Sequence, residues 1–369
     1  MADPLYLRAY ASLKERIEDG LWAEGDRLPT QAELTADLGI SAITLKRAMG
    51  MLRDEGYVTA RPRRGTVVLP RATRPRPAVD LPTIGYVTPS MDDVFGTPLL
   101  VGLAQATQGR ANLTFSLSAG VRDREEEAIE QQIAHGVGAL ILLPTTSRWI
   151  APAVLGLAAR HFPTVIVDRT LAGLPVSTVT SDNVAGGRMA TEYLFQHGHR
   201  RVGLVHSASP VSTVDERQAG YIRAHAAEGI RPDPAADLAE VHSMSPEPKA
   251  DAAQDVIALR AFVASHPGLT GYVVAEYRAA VLLARAAADL GRSVPEDLSI
   301  VCFDAPDPSA DPRIAFTHIR QDQERIGATA VDLALTQIAE PGSIDKVVVP
   351  VTLVEGGSVC APATGTAGE

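Results

Sequence analysis

Leu28-Pro29-Thr30-Gln31-Ala32-Glu33-Leu34-Thr35-Ala36-Asp37-Leu38-Gly39-Ile40-Ser41-Ala42-Ile43-Thr44-Leu45-Lys46-Arg47 contains two helix starts with a helix stop between them. Thr30 followed three residues later by Glu33 is a capping box, in which side chain and backbone satisfy each other at a helix N-terminus. Gly39 ends that helix, and Ser41 caps another from Ala42 to about Glu55, with Leu45, Met49 and Leu52 on one face and Gly56 closing it. Upstream, Leu5, Tyr10, Leu13, Ile17 and Leu21 recur at helical spacing, predicting a helix that ends near Gly20. Downstream, Tyr57–Ala60 and Thr66–Leu69 are β-rich and flank Arg61-Pro62-Arg63-Arg64-Gly65, so they predict a hairpin with a basic tip. Three helices and a basic hairpin predict a winged helix-turn-helix over residues 1–69. In that arrangement the third helix enters a major groove and the wing reaches the phosphate backbone or minor groove.

The charge distribution is uneven. The chain of 369 residues carries a net charge of −10, yet Lys46–Arg76 holds nine basic residues against two acidic ones. A basic block on an acidic protein fits a polyanion-facing module joined to one that binds no polyanion; a solvated face plus a basic linker gives the same count, and charge alone leaves both open. Pro70-Arg71-Ala72-Thr73-Arg74-Pro75-Arg76-Pro77 reads as a semi-rigid tether within a linker over 70–82.

The head resembles the GntR family of regulators. The resemblance rests on Gly25-Asp26-Arg27-Leu28-Pro29-Thr30, Glu33-Leu34, Leu38-Gly39-Ile40-Ser41, Thr44-Leu45-Lys46, Leu52-Arg53-Asp54-Glu55-Gly56-Tyr57 and Arg64-Gly65-Thr66, in order and spacing. It implies operator DNA as a partner, with Thr30, Ser41, Thr44, Lys46, Arg47, Arg61, Arg63, Arg64 and Gly65 as the expected contacts. Ala32 and Ala42 stand where the family usually has arginine, and Lys46 where arginine is common. Each lost arginine fork could supply about 1–3 kcal/mol of base discrimination, so the expected operator differs from the usual one.

From Thr83 on, short apolar runs alternate with helical stretches. Expected strands are Ile84–Thr88, Leu113–Leu117, Ala139–Leu143, Thr164–Val167, Val202–His206, Gly271–Ala275, Ser299–Phe303 and Val347–Val351. Expected helices include Pro98–Gly109, Arg124–His135, Ala185–His197 and Ala279–Leu290. This is the α/β class with doubly wound parallel sheets, where ligands bind beyond the carboxyl ends of strands. Polar residues gather at those ends: Asp168-Arg169, Asp304, Gln321 after the further run Ile314–Ile319, and Arg217 at the opening of a helix. Carboxylates and guanidinium groups converging there suit a small polar ligand, and Phe95 could cover an apolar sugar face.

The region also resembles the LacI/GalR effector domain, itself similar to periplasmic sugar-binding proteins. The matching stretches are Ile84-Gly85-Tyr86-Val87-Thr88-Pro89, Gly138-Ala139-Leu140-Ile141-Leu142, Val167-Asp168-Arg169, Thr180-Ser181-Asp182-Asn183-Val184-Ala185-Gly186-Gly187, Gly198-His199-Arg200-Arg201-Val202-Gly203, Glu216-Arg217-Gln218-Ala219-Gly220-Tyr221 and Phe303-Asp304. The resemblance implies a two-lobed periplasmic-binding-protein-like domain over 83–361, three crossovers, a cleft for the effector and a homodimer. It places Asp93, Phe95, Asp168, Arg169, Arg217, Asp304 and Gln321 in the cleft, and Glu276-Tyr277 where the family has Asn-Asp; Gly96 replaces a second aromatic. Four acids against two arginines disfavour an anionic effector and favour a neutral sugar, a polyol or an amine-bearing ligand.

GntR-type head and LacI-type sensor together resemble the arabinose-repressor layout. The expectation is a cytoplasmic regulator, a repressor released by its effector; a corepressor-type sensor with weakened DNA binding is the alternative. No enzyme activity, cofactor or metal is expected. Neither a Gly-x-Ser-x-Gly elbow nor a P-loop is present, and beyond the head Lys249 and Lys346 are the only lysines. His197-Gly198-His199 reads as a turn, and Cys302 as core. There is no apolar run of the roughly 18–20 residues that span a bilayer, nor a basic-then-apolar leader at Met1.

Overall fold

The computed structural model describes residues 4–61, 65–70, 81–242, 251–306 and 315–362, and divides into two units, 1–81 and 82–369. Arg63, Arg64 and linker residues 71–80 lie outside the described residues.

In the first unit, α1 (Leu5–Glu18), α2 (Gln31–Leu38) and α3 (Ala42–Asp54) precede an antiparallel pair, β1 (Val58–Arg61) and β2 (Gly65–Val68), registered Val58 to Val68. Leu13, Ile17, Leu28, Leu34, Leu45, Leu52, Val58 and Val68 form one core. Helix α1 stops short of the expected end, so Leu21 lies beyond it and is exposed. The capping box is complete: Thr30 N–H donates to Glu33 Oε2 (2.6 Å), and Glu33 N–H to Thr30 Oγ1 (3.4 Å). Gly39 takes the left-handed conformation (φ 63°) that lets α2 end and the chain turn into α3.

The second unit holds two six-stranded sheets. The first has the order β13-β7-β6-β5-β3-β4 and is wholly parallel: β3 (Thr83–Thr88), β4 (Asn112–Leu117), β5 (Ala139–Leu142), β6 (Thr164–Val167), β7 (Ser177–Ser181) and β13 (Lys346–Val349). The second has the order β14-β12-β11-β10-β8-β9: β8 (Val202–Ser207), β9 (Asp237–Val241), β10 (Gly271–Val274), β11 (Ser299–Phe303), β12 (Thr317–Arg320) and an antiparallel edge, β14 (Thr352–Val354). Helices α4 (Gly96–Thr107), α5 (Arg122–Ala134), α6 (Pro152–Ala159) and α11 (Gln323–Ala339) belong with the first sheet, and α7 (Asn183–Gln196), α8 (Ser212–Ala227), α9 (Ala252–Ser265) and α10 (Tyr277–Asp289) with the second. Strands β5, β6, β10 and β11 are buried at every position, because helices cover both faces; hence the continuous apolar runs.

The chain passes between the sheets three times: from β7 into α7, from β12 into α11, and from β13 into β14. The expected strand Val347–Val351 therefore ends early, since Val351 belongs to the last passage. Strands β7, β9 and β14 and helices α6, α9 and α11 were not among the expected elements. Arg217 does not open its helix either; α8 begins at Ser212, which puts Arg217 in its second turn. No helix among the described residues is long and apolar enough to cross a membrane.

Candidate functional site

Strand ends from both sheets border one cavity of about 300 Å³, the lower end of the range for small-molecule sites. The first lobe contributes Asp92 and Phe95 after β3, Thr145 after β5, and Asp168 and Arg169 after β6. The second contributes Ser207 and Ser209 from β8 and its loop, Arg217 from α8, Glu276, Tyr277 and Arg278 after β10, Asp304 after β11, and Gln321 after β12.

The two lining aspartates that follow a strand directly are in the left-handed region, Asp168 at φ 65° and Asp304 at φ 58°. Each donates its backbone N–H to the neighbouring strand (Val179 O and Ile319 O, both 2.9 Å), so the turn that aims the carboxylate is held by the sheet. Non-glycine residues held this way cost on the order of 1–3 kcal/mol and cluster at ligand sites. Asp304 accepts from Gln321 N–H (3.2 Å), Gln321 Nε2 (2.6 Å) and Gln323 Nε2 (2.9 Å). Even so, burial pushes its carboxyl up to about 6, with Arg217 and Gln321 opposing the rise. Burial also raises Asp168 above the usual carboxylate range, against Arg169 and Arg217.

Arg217 is 6% exposed and tied in place. Its Nε donates to Asn183 Oδ1 (2.9 Å) and Nη1 to Ala275 O (2.5 Å), while its Cζ lies 4.0 Å from the centre of the Phe303 ring. Arg169 donates through Nη1 to Pro144 O, but its Nε is 3.8 Å from Asp168 Oδ2 and is buried without a hydrogen-bond partner. Gln321 Oε1 is a buried acceptor in the same condition. Two residues that line the cavity thus each carry a buried polar atom without a partner, one a donor and one an acceptor. Glu276 accepts from Ser207 N–H (3.2 Å), and Tyr277 packs edge-on to Phe316 (6.0 Å between centroids).

The lobes also bond directly. Ser147 N–H (3.1 Å) and Thr146 Oγ1 (3.0 Å) donate to Pro210 O, Ser212 N–H to Ser147 Oγ (2.9 Å), and Thr170 N–H to Ser212 Oγ (3.0 Å).

Of the nine expected effector residues, the structure brings Phe95, Asp168, Arg169, Arg217, Glu276, Tyr277, Asp304 and Gln321 to this cavity. Asp93 is a correction: it is exposed and outside the lining, and its neighbour Asp92 is turned inward. Asp92 Oδ1 accepts the N–H groups of Val94 (3.0 Å) and Phe95 (2.6 Å), an Asx turn that fixes which acid faces the cavity. Arg278 was missed; it stands one residue past the expected pair. The lining therefore holds four acids against three arginines, nearer to balance than the sequence count. His199 spends Nδ1 on Thr270 Oγ1 and Nε2 on Cys360 O (both 2.9 Å), the bonding of a structural turn.

In the head, Ser41 Oγ accepts Thr44 N–H (3.2 Å) and lies 2.8 Å from Thr44 Oγ1, so both hydroxyls serve the start of α3. Thr30 does the same for α2. Lys46 and Arg47 are exposed on α3, and the Arg47 guanidinium stacks on Tyr6 (Cζ 3.9 Å from the ring centre), which draws it toward α1. Arg61 is exposed at the end of β1. Gly65 opens β2 at φ 77° with the Arg27 side chain against it, a place where a Cβ would be strained and crowded.

Two protein families match parts of the chain. Residues 5–68 match the bacterial regulatory proteins of the gntR family, and residues 191–359 match the periplasmic binding protein-like domain. The chain is 27% identical over 352 residues to the arabinose metabolism transcriptional repressor of Geobacillus stearothermophilus, covering 93% of each chain. A LacI family transcriptional regulator from Mycobacterium smegmatis superimposes with a TM-score of 0.65 at 24% identity, over 76% of this chain and all of that one. The lac repressor dimer bound to operator superimposes with a TM-score of 0.65 at 20% identity, over 77% of this chain and 96% of that one.

Proposed function

We propose that this chain, which joins a gntR-type head to a periplasmic-binding-protein-like domain, is a ligand-responsive transcriptional regulator: a cytoplasmic homodimeric repressor released from its operator by a neutral sugar or polyol. The observation that carries the ligand class is the pair of unmatched groups at the cavity, Arg169 Nε and Gln321 Oε1. Each unmatched buried group costs about 1–3 kcal/mol, and a hydroxyl, donor and acceptor at once, relieves either. Four carboxylates against three arginines leave the lining slightly acidic, which disfavours an anion. The relative named for arabinose metabolism supports the same class. The chain acts by binding, not by bond making.

The apolar surface supports the dimer. Strand β4 is an edge of the first sheet, and Phe115 and Leu117 on it are exposed, as are Val101 on α4, Ile222 on α8 and Val281 on α10. Bare apolar edges invite pairing, and a second copy covers them. Two heads then address two half-sites, and effector in the cleft alters their spacing through the segment 70–82, so that ligand and DNA affinities are reciprocally coupled.

Thermal denaturation with a panel of pentoses, hexoses, polyols and sugar phosphates tests the ligand class. A neutral sugar at about 100 times its Kd stabilises by roughly 2.7 kcal/mol and weakens operator binding in a gel shift. A response to phosphorylated sugars alone would overturn the charge argument.

Asp304 makes the affinity depend on pH. Ligand hydroxyls donate best to its ionised form, so binding favours loss of the proton. With the carboxyl at about 6, affinity is constant above that pH and falls below it, by as much as tenfold per unit. Calorimetry at pH 5.5 in buffers of different ionisation enthalpy should show proton release on binding; proton uptake would contradict this assignment.

A further inference from the structure

On helix α3 one strip faces away from the core formed by Leu45, Ala48 and Leu52: Ile43, Lys46, Arg47 and Gly50, at helical spacings of three, four and seven. Two features of this strip have no explanation in the packing of the head. Ile43 is 82% exposed, the highest value among the large apolar residues described. Gly50 sits in the helix interior, where glycine is unfavourable relative to alanine, yet a Cβ there would meet nothing within 4 Å. Folding therefore requires neither the isoleucine nor the glycine. Together they make a strip that is apolar at its N-terminal end, flanked by Lys46 and Arg47, and bare of side chain one turn further on.

That is the profile of a surface read by another molecule at close range. In the major groove the one apolar group on a base edge is the 5-methyl of thymine, which side chains recognise by contact, not by hydrogen bonding. Ala42 precedes it and is also exposed, and adjacent residues on a helix do not face each other, so Ile43 stands uncovered. We propose that Ile43 is a specificity-determining residue that packs on a thymine methyl in each operator half-site, with Gly50 allowing the helix backbone to approach the DNA. The inference rests on the reading of the head as a DNA-binding module and goes beyond it by assigning one base and one atom.

The experiment uses the full chain and a half-site sequence selected from a random DNA pool. Each thymine of one half-site is replaced in turn by deoxyuridine, which removes only the methyl group. For the wild-type protein one such replacement should weaken binding roughly fourfold, the worth of burying one methyl group. For Ile43→Ala the same replacement should cost nothing further, and Ile43→Val should fall between. Equal losses at every thymine in wild type and Ile43→Ala would overturn the assignment while leaving DNA binding intact; failure to select any sequence would overturn the DNA-binding reading and this one with it. Gly50→Ala provides a second readout, with unchanged or higher thermal stability but weaker binding to all sequences. Unchanged binding would remove the close-approach role. Because Ile43 is exposed, loss of fold in the variants does not confuse the result.

Discussion

An Arg217→Ala protein is expected to bind operator DNA as the wild type does and to ignore effector. Arg217 supplies the cavity with fixed N–H donors, and its charge opposes the rise in both Asp168 and Asp304. Its bonds to Asn183 and Ala275 use two of five N–H groups, and Phe303 supports the guanidinium plane. Truncation removes the donors, lets both carboxyls drift further toward their neutral forms, and leaves Asn183 Oδ1 and Ala275 O short of a donor. Hydrogen bonds to charged groups contribute about 1.5–3 kcal/mol each, so two lost ligand bonds weaken effector binding about 100-fold or more. Breaking a buried charged network also costs stability, roughly 3–5 kcal/mol, seen as a lowered Tm. Arg217→Lys keeps the charge but not the fork, and should regain stability more than affinity. Calorimetry for the effector and a gel shift without it separate the two activities. A variant that still releases DNA at wild-type effector concentrations would remove Arg217 from the site, and one that cannot bind DNA would contradict the modular organisation.

How far the sequence could be read depended on burial and on local geometry. Strands such as β5 (Ala-Leu-Ile-Leu) and β6 (Thr-Val-Ile-Val) were legible because both faces are covered and the apolar run is unbroken. Strand β7 (Ser-Thr-Val-Thr-Ser) is as deeply buried but offers no apolar run, since four of its five side chains carry hydroxyls; Ser177 Oγ is satisfied only at long range, by Gln337 Nε2 and the Asp345 N–H. Edge strand β9 (Asp-Leu-Ala-Glu-Val) is half exposed and shows no clean period. The cavity residues after strands were legible for a similar reason. In a parallel sheet the first polar residue after an apolar run falls at the carboxyl end, which picks out Asp168 and Asp304. Asp92 and Asp93 stand in a loop without periodicity, and only the Asx turn distinguishes them. Tyr6 under Arg47 was likewise invisible, since the two are far apart in sequence and one stack decides the direction of a long side chain.

Gly187 sets how accurately Arg217 is placed, and replacing it should be among the most damaging single changes to the domain. Helices α7 and α8 cross with their backbones in contact. A Cβ on Gly187 would stand 2.1 Å from Arg217 O, and one on Gly220 would stand 2.2 Å from Val184 O. Neither obstacle is a flexible side chain, so the helices must separate. Gly187→Ala is therefore expected to cost roughly 3 kcal/mol, the upper part of the range for overpacking, with a Tm lowered by several degrees. The displacement also moves the Arg217 backbone, and so the guanidinium, away from Asn183 and Phe303. Effector affinity should consequently fall further than stability alone predicts, at temperatures where the protein remains folded. Gly156→Ala in α6 is the matched control: a Cβ there meets nothing within 4 Å, and removing a helical glycine should stabilise by about 0.5–1 kcal/mol. If Gly187→Ala matched Gly156→Ala in Tm and in effector affinity, the helix crossing could not be what positions the arginine. The difference between two chemically identical substitutions thus measures how much of the ligand response depends on the close contact of α7 and α8.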